Sequence, residues 1–272
     1  AKMTNGVIIN ADSRQIYKEL RIGTARPSDI QMMEVKHYLY GTVSVKDTYN
    51  IHRYQQDVFE LFKSIPKEQT PILVGGTGLY IDSVVYNYKL NPQSENIINT
   101  RGDIANLTTV ELQQQIPEDI LETLNNSDRN NPRRLQRIIQ RGNVLSTQVE
   151  KGASFPNKYF VIDIPKDLLR AKIAQRIEQM FENGLIEENR SIRDADLNKY
   201  PALNSIGYKE FDGYFKNEKT IGEVKSEILK NTLQYVKRQR TWFKRNPQAI
   251  WTTDFDLIQK ESQNLLRNAS SI

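Results

Sequence analysis

Two short apolar runs, Val7-Ile8-Ile9 and Pro71-Ile72-Leu73-Val74, constrain the fold of this chain more than any other feature. Neither alternates with polar residues, which is the pattern of strands covered on both faces. Asn10-Ala11-Asp12-Ser13 stops the first, and Gly75-Gly76-Thr77-Gly78 stops the second before an apolar helix start at Leu79-Tyr80-Ile81. Between them, Tyr54 to Ile65 spaces Val58, Leu61, Phe62 and Ile65 as one helix face and ends ahead of Pro66. Strand, helix and second buried strand in that order predict a parallel pair joined by a crossover, hence an α/β fold with a parallel sheet flanked by helices. Ahead of the first run, Ala1 to Gly6 reads as a helix tail closed by Asn5-Gly6, so a preceding segment is expected.

From about Leu90 to Gly152 the texture becomes polar and rich in Asn and Gln, with helical periodicity at Val110–Gln115 and Arg133–Ile139. We expect an inserted helical lobe at 91–152 within a core made of 1–90 and 153–272. Tyr159-Phe160-Val161-Ile162 returns as a strand, followed by a helix from Lys166 to Asn183 that Gly184 stops at its C′ position. A long helix over 221–245, a short strand at Ile250-Trp251 and a closing helix over 255–267 complete the expected core.

The absence of Cys excludes disulfides, thiolate nucleophiles and Cys-based metal sites, and two histidines, His37 and His52, leave no histidine-clustered zinc site. Mean hydropathy is −0.62, and no apolar run approaches the ~18 residues of a membrane span. No signal peptide is visible, so a soluble cytoplasmic protein is expected. The net charge of +5 is modest, but its distribution is not. Arg133, Arg134, Arg137 and Arg141 crowd one stretch, and Lys230, Lys237, Arg238, Arg240, Lys244 and Arg245 follow one helix without an intervening acid. Such clusters attract phosphate-bearing partners.

Three constellations could carry chemistry. Asp12-Ser13-Arg14-Gln15 lies just past the C-terminal end of a parallel strand, the edge at which ligands bind in open α/β sheets. Its carboxylate could be a general base or a helix N-cap. Gly75-Gly76-Thr77-Gly78 could bring main chain close to a ligand, or simply make a tight strand-to-helix turn; it has neither G-x-x-x-x-G-K-[ST] nor G-x-G-x-x-G spacing. In the arginine run, Leu135, Ile138 and Ile139 share one helix face while Arg133, Arg137 and Arg141 stack four apart on another. Repulsion among them favours RNA contact over a plain solvated face. Tyr235, Trp242 and Phe243 read as core.

Taken in order, Ile9 to Tyr17, Ile22-Gly23-Thr24-Ala25-Arg26-Pro27, Leu73 to Tyr80, Asn131-Pro132-Arg133-Arg134, Ile206-Gly207-Tyr208-Lys209-Glu210 and Lys237 to Phe243 resemble the motifs of bacterial tRNA dimethylallyltransferases across nearly the whole chain. The resemblance implies a P-loop-kinase-like parallel sheet with an inserted helical domain. It also implies transfer of a dimethylallyl group from dimethylallyl diphosphate to N6 of the adenosine 3′ of the anticodon, in tRNAs reading U-initial codons. By the same resemblance Asp12 is the base; Ser13, Arg14, Gln15 and Thr77 contact tRNA near the reaction channel; and Arg133, Arg134, Leu135, Gln136 and Arg137 form a second tRNA-contact stretch. Lys172, Arg176, Lys209 and Arg238 are candidates for gripping diphosphate. The implied partners are the tRNA anticodon loop and dimethylallyl diphosphate, without a membrane, and a monomer is expected.

The family also carries a phosphate loop on its first strand and helix, handling diphosphate and Mg²⁺, and none of the glycines here is followed by Lys. On the sequence as it stands, that loop is expected to lie in a missing upstream segment, and turnover is not expected without it. The stretch around Asn99-Thr100-Arg101-Gly102 is shorter than the family's insertion, and with zero Cys in this sequence the zinc-finger extension of eukaryotic relatives is not expected. Two rivals remain at this level: a P-loop kinase of a small metabolite, and a noncatalytic RNA-binding module.

Overall fold

The computed structural model describes residues 1–90, 104, 106–140, 142, 151–152 and 155–269. Two compact units result, Ala1–Asn87 with Ser154–Ile272, and Tyr88–Ala153. In the first, β1 (Gly6–Asn10), α1 (Asp29–Met33), β2 (His37–Tyr38), α2 (Ile51–Ser64), β3 (Thr70–Val74) and α3 (Gly78–Val85) come in that order. The second holds α4 (Thr109–Gln114), α5 (Glu118–Thr123), α6 (Asn126–Arg129) and α7 (Pro132–Gln140). The chain then returns to the first unit with β4 (Phe160–Ile162), α8 (Lys166–Glu182), α9 (Leu185–Asp194), α10 (Asp212–Phe215), α11 (Ile221–Phe243), β5 (Ile250–Thr252) and α12 (Phe255–Ala269).

All strand pairing within these sheets is parallel. The order β2-β1-β3 puts β1 in the centre, with Gly6 opposite Thr70 and Asn10 opposite Val74. Central placement explains why Val7 and Ile9 are almost wholly buried. β3 differs from its reading as a strand buried on both faces. It is the edge of the described sheet, with Pro71 and Val74 exposed, and a proline is tolerated at an edge because it has no N–H to give. β4 and β5 pair with one another as a separate two-stranded sheet rather than extending the first. β2 has no sequence signal of its own; its two residues are strand by pairing with Ile8 and Ile9.

Helix boundaries follow local chemistry. Asn50 caps α2 by accepting from the Arg53 amide, and Thr220 with Glu223 forms a reciprocal capping box on α11. Gly184, at φ +95°, ends α8 and opens α9 directly behind it, a left-handed joint that glycine supplies without a Cβ clash. The helix-tail reading of Ala1–Gly6 corresponds to a 3₁₀ turn at Lys2–Thr4 closed by left-handed Asn5.

Two cores sit in the first unit. One packs β1 against α2 and α3 around Val7, Ile9, Tyr54, Val58, Tyr80 and Val84. The other joins α8, α9 and α11 through Ile173, Ile177, Leu185, Phe211, Val224 and Ile228. The second unit has its own small core of Ile104, Leu112, Ile116, Leu121 and Leu135.

Candidate active site

At the C-terminal edge of β1 the chain turns sharply, and the turn is built from side-chain acceptors. Asn10 Oδ1 accepts from the Asp12 amide at 2.8 Å, while Asn10 Nδ2 donates to the carbonyls of Asp12 and Leu39 at 3.0 and 2.9 Å. Asp12 Oδ1 in turn accepts from the amides of Arg14 (2.8 Å) and Gln15 (3.4 Å). Asp12 thus does what a capping carboxylate does. It is also largely removed from water, and burial raises its pKa above the usual carboxylate value, against the pull of those amides and of the Arg14 and Arg176 charges. Both amide bonds fall on Oδ1, so Oδ2 is the oxygen left to take a proton. Cap and base are compatible here: the cap fixes the carboxylate's orientation.

The glycine turn after β3 packs directly on this loop. The Ala11 amide donates to the Val74 carbonyl at 2.8 Å and the Thr77 amide to the Ala11 carbonyl at 3.1 Å. A Cβ on Gly75 would lie 2.1 Å from the Ala11 carbonyl carbon, so only glycine lets the two main chains approach this closely. Thr77 Oγ1 accepts from the Ser13 amide at 3.0 Å and lies 3.2 Å from Ser13 Oγ. From the other side α11 clasps the turn: Tyr235 Oη and Gln239 Nε2 each donate to the Gly76 carbonyl at 3.0 Å. Trp242 fills the space over Gly78 and donates from Nε1 to Asp82 Oδ2 at 2.7 Å. The aromatic residues of the Lys237–Phe243 segment, read as core, are half-buried and shape the site's wall.

Three tyrosines face Asp12. Burial and the negative charge of Asp12 push Tyr40 up to about 12, and they also raise Tyr80 and Tyr235 above the usual tyrosine value. Tyr80 stacks on Tyr54 with ring centroids 4.2 Å apart. At neutral pH these phenols stay protonated and supply donors and aromatic surface around a single carboxylate. Of the four cations considered for diphosphate, the structure brings Arg176, on α8, into electrostatic contact with Asp12. All four are exposed; Arg238 lies over the Tyr235 ring at 5.6 Å, and what sets Arg176 apart is its charge acting on Asp12. Among the described residues no group of three or more His, Asp or Glu side chains is placed to hold a metal.

The architecture agrees with a known family over most of its length. The family model described as IPP transferase matches residues 15–246. The chain belongs to the IPP transferase family. A tRNA dimethylallyltransferase of Gloeothece citriformis is 32% identical over 98% of this chain and 90% of its own length. A tRNA dimethylallyltransferase of Acholeplasma laidlawii is 34% identical over 89% and 81%. Among solved structures, the full-length tRNA isopentenylpyrophosphate transferase of Bacillus halodurans superposes with a TM-score of 0.71 at 27% identity, covering 98% of this chain and 89% of that one.

The remaining sequence-derived residues divide by what their side chains already do. Gln15 Nε2 donates to the carbonyls of Thr24 and Ala25 at 2.9 and 3.2 Å, tying the Asp12 loop to the next turn. In the second unit α7 starts at Pro132 behind an Asn131 cap. Arg133 and Arg137 are exposed on it, and Arg134 pairs with Asp128. Leu135 is fully buried, so its side chain is core and only its main chain could meet RNA. Gln136 donates to the Ile104 carbonyl at 3.1 Å. Arg141 and the Asn99–Gly102 stretch lie outside the described residues. Sequence reasoning missed Glu188, which accepts from the amides of Arg21, Ile22 and Gly23. A surface-helix glutamate gives no sign of a main-chain partner more than 160 residues away.

Proposed function

We propose that this chain transfers a dimethylallyl group from dimethylallyl diphosphate to the exocyclic N6 of adenosine in tRNA, at the position 3′ of the anticodon in tRNAs reading U-initial codons. The observation that carries this reading is Asp12: a desolvated carboxylate, one oxygen fixed by two amides, beside Arg14 and Arg176 at the open edge of the sheet. The allylic C–O bond breaks with its electron pair leaving on diphosphate, the N6–C bond forms, and the N6 proton passes to Asp12 Oδ2. An exocyclic amine is a weak nucleophile until its proton has somewhere to go, so a base of raised basicity is useful. Negative charge developing on diphosphate is stabilised by fixed cations, for which Arg176 is the assignment best supported by position.

Family membership and named relatives support tRNA as the acceptor. We assign the inserted unit to tRNA binding, with Arg133 and Arg137 as phosphate contacts, and Ser13, Arg14, Gln15 and Thr77 to the neighbourhood of the flipped base. No step is assigned to Mg²⁺. Among the described residues no helix is long and apolar enough to cross a membrane. The kinase reading leaves the tRNA-modifying relatives and the exposed arginine helix unexplained, and the RNA-binding module leaves Asp12 without a role.

The test uses the protein as expressed from its own reading frame, labelled dimethylallyl diphosphate and two anticodon stem-loops that differ only in A or G 3′ of the anticodon. Label should enter the A-bearing RNA alone. Equal labelling of both, or stabilisation by ATP with no transfer, would overturn the assignment.

A further inference from the structure

Glu188, on α9, performs an unusual task for a half-buried carboxylate. Its Oε1 accepts from the amides of Ile22 and Gly23 at 3.0 and 3.1 Å and from Tyr208 Oη at 2.6 Å. Its Oε2 accepts from the amides of Arg21 and Ile22 at 3.2 and 2.8 Å. Consecutive amides converging on one point make an anion-binding nest, and here the anion is supplied by the chain itself. The packing leaves no slack. A Cβ on Gly23 would lie 2.7 Å from the fully buried Tyr208 ring, and one on Gly207, at φ +92°, would lie 2.9 Å from the Gly23 carbonyl oxygen.

What the nest holds leads back to the reaction. The turn closes through Ala25 N to Ile22 O (2.9 Å) and Arg26 N to Arg21 O (3.1 Å). Its Thr24 and Ala25 carbonyls take the Gln15 side chain, and Arg26 donates to the Tyr17 carbonyl at 3.1 Å. Gln15 is the residue whose amide, with that of Arg14, orients Asp12. On the other side, α9 follows α8 through Gly184, and α8 carries Arg176. One helical hairpin therefore bears both the cation facing Asp12 and the carboxylate that anchors the loop on which Asp12 is built.

We propose that Glu188 is a positioning residue for Asp12, fixing the base and the Arg176 cation in one frame through the Arg21–Gly23 amides and Gln15. The inference rests on the transfer reading above. Groups facing Asp12 are Arg14 on its own loop, Arg176 on α8, Tyr40 after β2, Tyr80 on α3 and Tyr235 on α11; Arg26 and Tyr208 face Glu188. If the nest is released, the Arg14 and Gln15 amides and the Arg176 charge hold the ionised form of Asp12 less well.

The experiment compares wild type, Glu188→Gln and Tyr208→Phe in transfer kinetics across pH and in amide hydrogen exchange. Glu188→Gln should lower kcat by about ten- to a hundredfold, as expected for misplacing a reacting group by an ångström or less, with KM for tRNA little changed. The acidic limb of its kcat profile should move to higher pH, and exchange of the Arg14 and Gln15 amides should accelerate. Tyr208→Phe, which removes only a hydroxyl, should move the same readouts in the same direction by less, and it decides the matter if Glu188→Gln does not fold. Wild-type kcat and an acidic limb left in place or moved down, with only the melting temperature lowered, would overturn the positioning role. If wild type itself transfers no dimethylallyl group, the functional reading fails. Exchange then judges Glu188 alone: unchanged protection at Arg14 and Gln15 overturns the inference, and lost protection upholds it.

Discussion

Gly75→Ala should damage the fold and the chemistry together, by an amount the geometry sets. The new methyl would sit 2.1 Å from the Ala11 carbonyl carbon, 2.3 Å from its oxygen and 2.6 Å from the Asp12 nitrogen. These are main-chain atoms and cannot swing aside, so the glycine turn and the Asp12 loop must part by about 1.5 Å to reach ordinary contact. That displacement breaks the bonds from Ala11 N to Val74 O and from Thr77 N to Ala11 O. With each left unsatisfied at about 1–3 kcal/mol, the loss is roughly 2–6 kcal/mol, or about 5–20 °C in melting temperature for a unit of this size. In whatever fraction stays folded, a 1 Å shift of the base costs on the order of a hundredfold in kcat. Gly222→Ala is the matched control: its Cβ meets nothing nearer than Thr220 Oγ1 at 3.9 Å, and alanine should stabilise α11 by roughly 0.5–1 kcal/mol. Differential scanning calorimetry and single-turnover transfer on both variants decide. A Gly75→Ala protein with wild-type melting and wild-type turnover would refute the claim that this contact sets the site.

Other perturbations separate the roles of individual residues. Asp12→Asn keeps an oxygen for the Arg14 and Gln15 amides but cannot take a proton, so single-turnover rates should fall by about 10²–10⁴ while tRNA affinity holds; near-normal turnover would remove Asp12 as base. Because folding raises the Asp12 pKa, its ionisation opposes folding: the stability it allows is fully present below the unfolded value of about 3.9 and is lost as pH rises through the folded value. Asp12→Asn should therefore melt above wild type at pH 7, with the gap closing towards pH 4; a constant gap would contradict the desolvation account. Arg137→Ala should weaken tRNA binding and reduce the slope of log K against log salt by about 0.7–0.9, whereas an unchanged slope would return Arg137 to the solvated surface. Leu135→Ala should cost about 2–5 kcal/mol in a unit whose whole stability is about 3–10 kcal/mol. Amide exchange should then show the inserted unit opening while β1 and α2 stay protected, and uniform protection would count against an independent core there.

The central strand was legible because Val7 and Ile9 on one face and Ile8 on the other all call for cover, which a strand inside a sheet supplies. The long helices were legible because their signals are local: α11 has the Thr220–Glu223 capping box, and α8 the buried series Ile173, Ile177 and Met180 with Gly184 just beyond its end. β2 was not, because His37-Tyr38 has no strand pattern and is made a strand by Ile8 and Ile9 alone. β3 misled, since an all-apolar run says that a strand could be buried on both faces, not that neighbours are present to do it. In the site, Asp12 could be placed at the sheet edge from sequence, but the phenols that face it, Tyr40, Tyr80 and Tyr235, come from three separate segments. Of four candidate cations, Arg176 is the one whose charge acts on Asp12, and Lys172, one turn earlier on the same helix, shows that no sequence pattern could have made that choice. Glu188 was invisible because, Tyr208 Oη apart, its partners are amides, and an amide leaves no trace in the one-letter code.

The same argument explains why the ordered set of motifs is specific when no single one is. Gly75 is required by the Ala11–Asp12 main chain, Gly78 by Trp242, and Gly23 by Tyr208, so each glycine answers to a residue in a different motif. A tight strand-to-helix turn alone would tolerate many sequences. A turn that must also accept Trp242 over Gly78, Tyr235 and Gln239 on the Gly76 carbonyl, and Ala11 against Gly75 tolerates few. The motifs are the two halves of contacts, written far apart along the chain. Their shared product is one immobile carboxylate, Asp12, whose orientation is set by main chain on one side and by helices α8, α9 and α11 on the other. On the proposed reading of Asp12 as the base, immobility is what the reaction needs: reorganisation avoided at the moment of transfer is barrier removed.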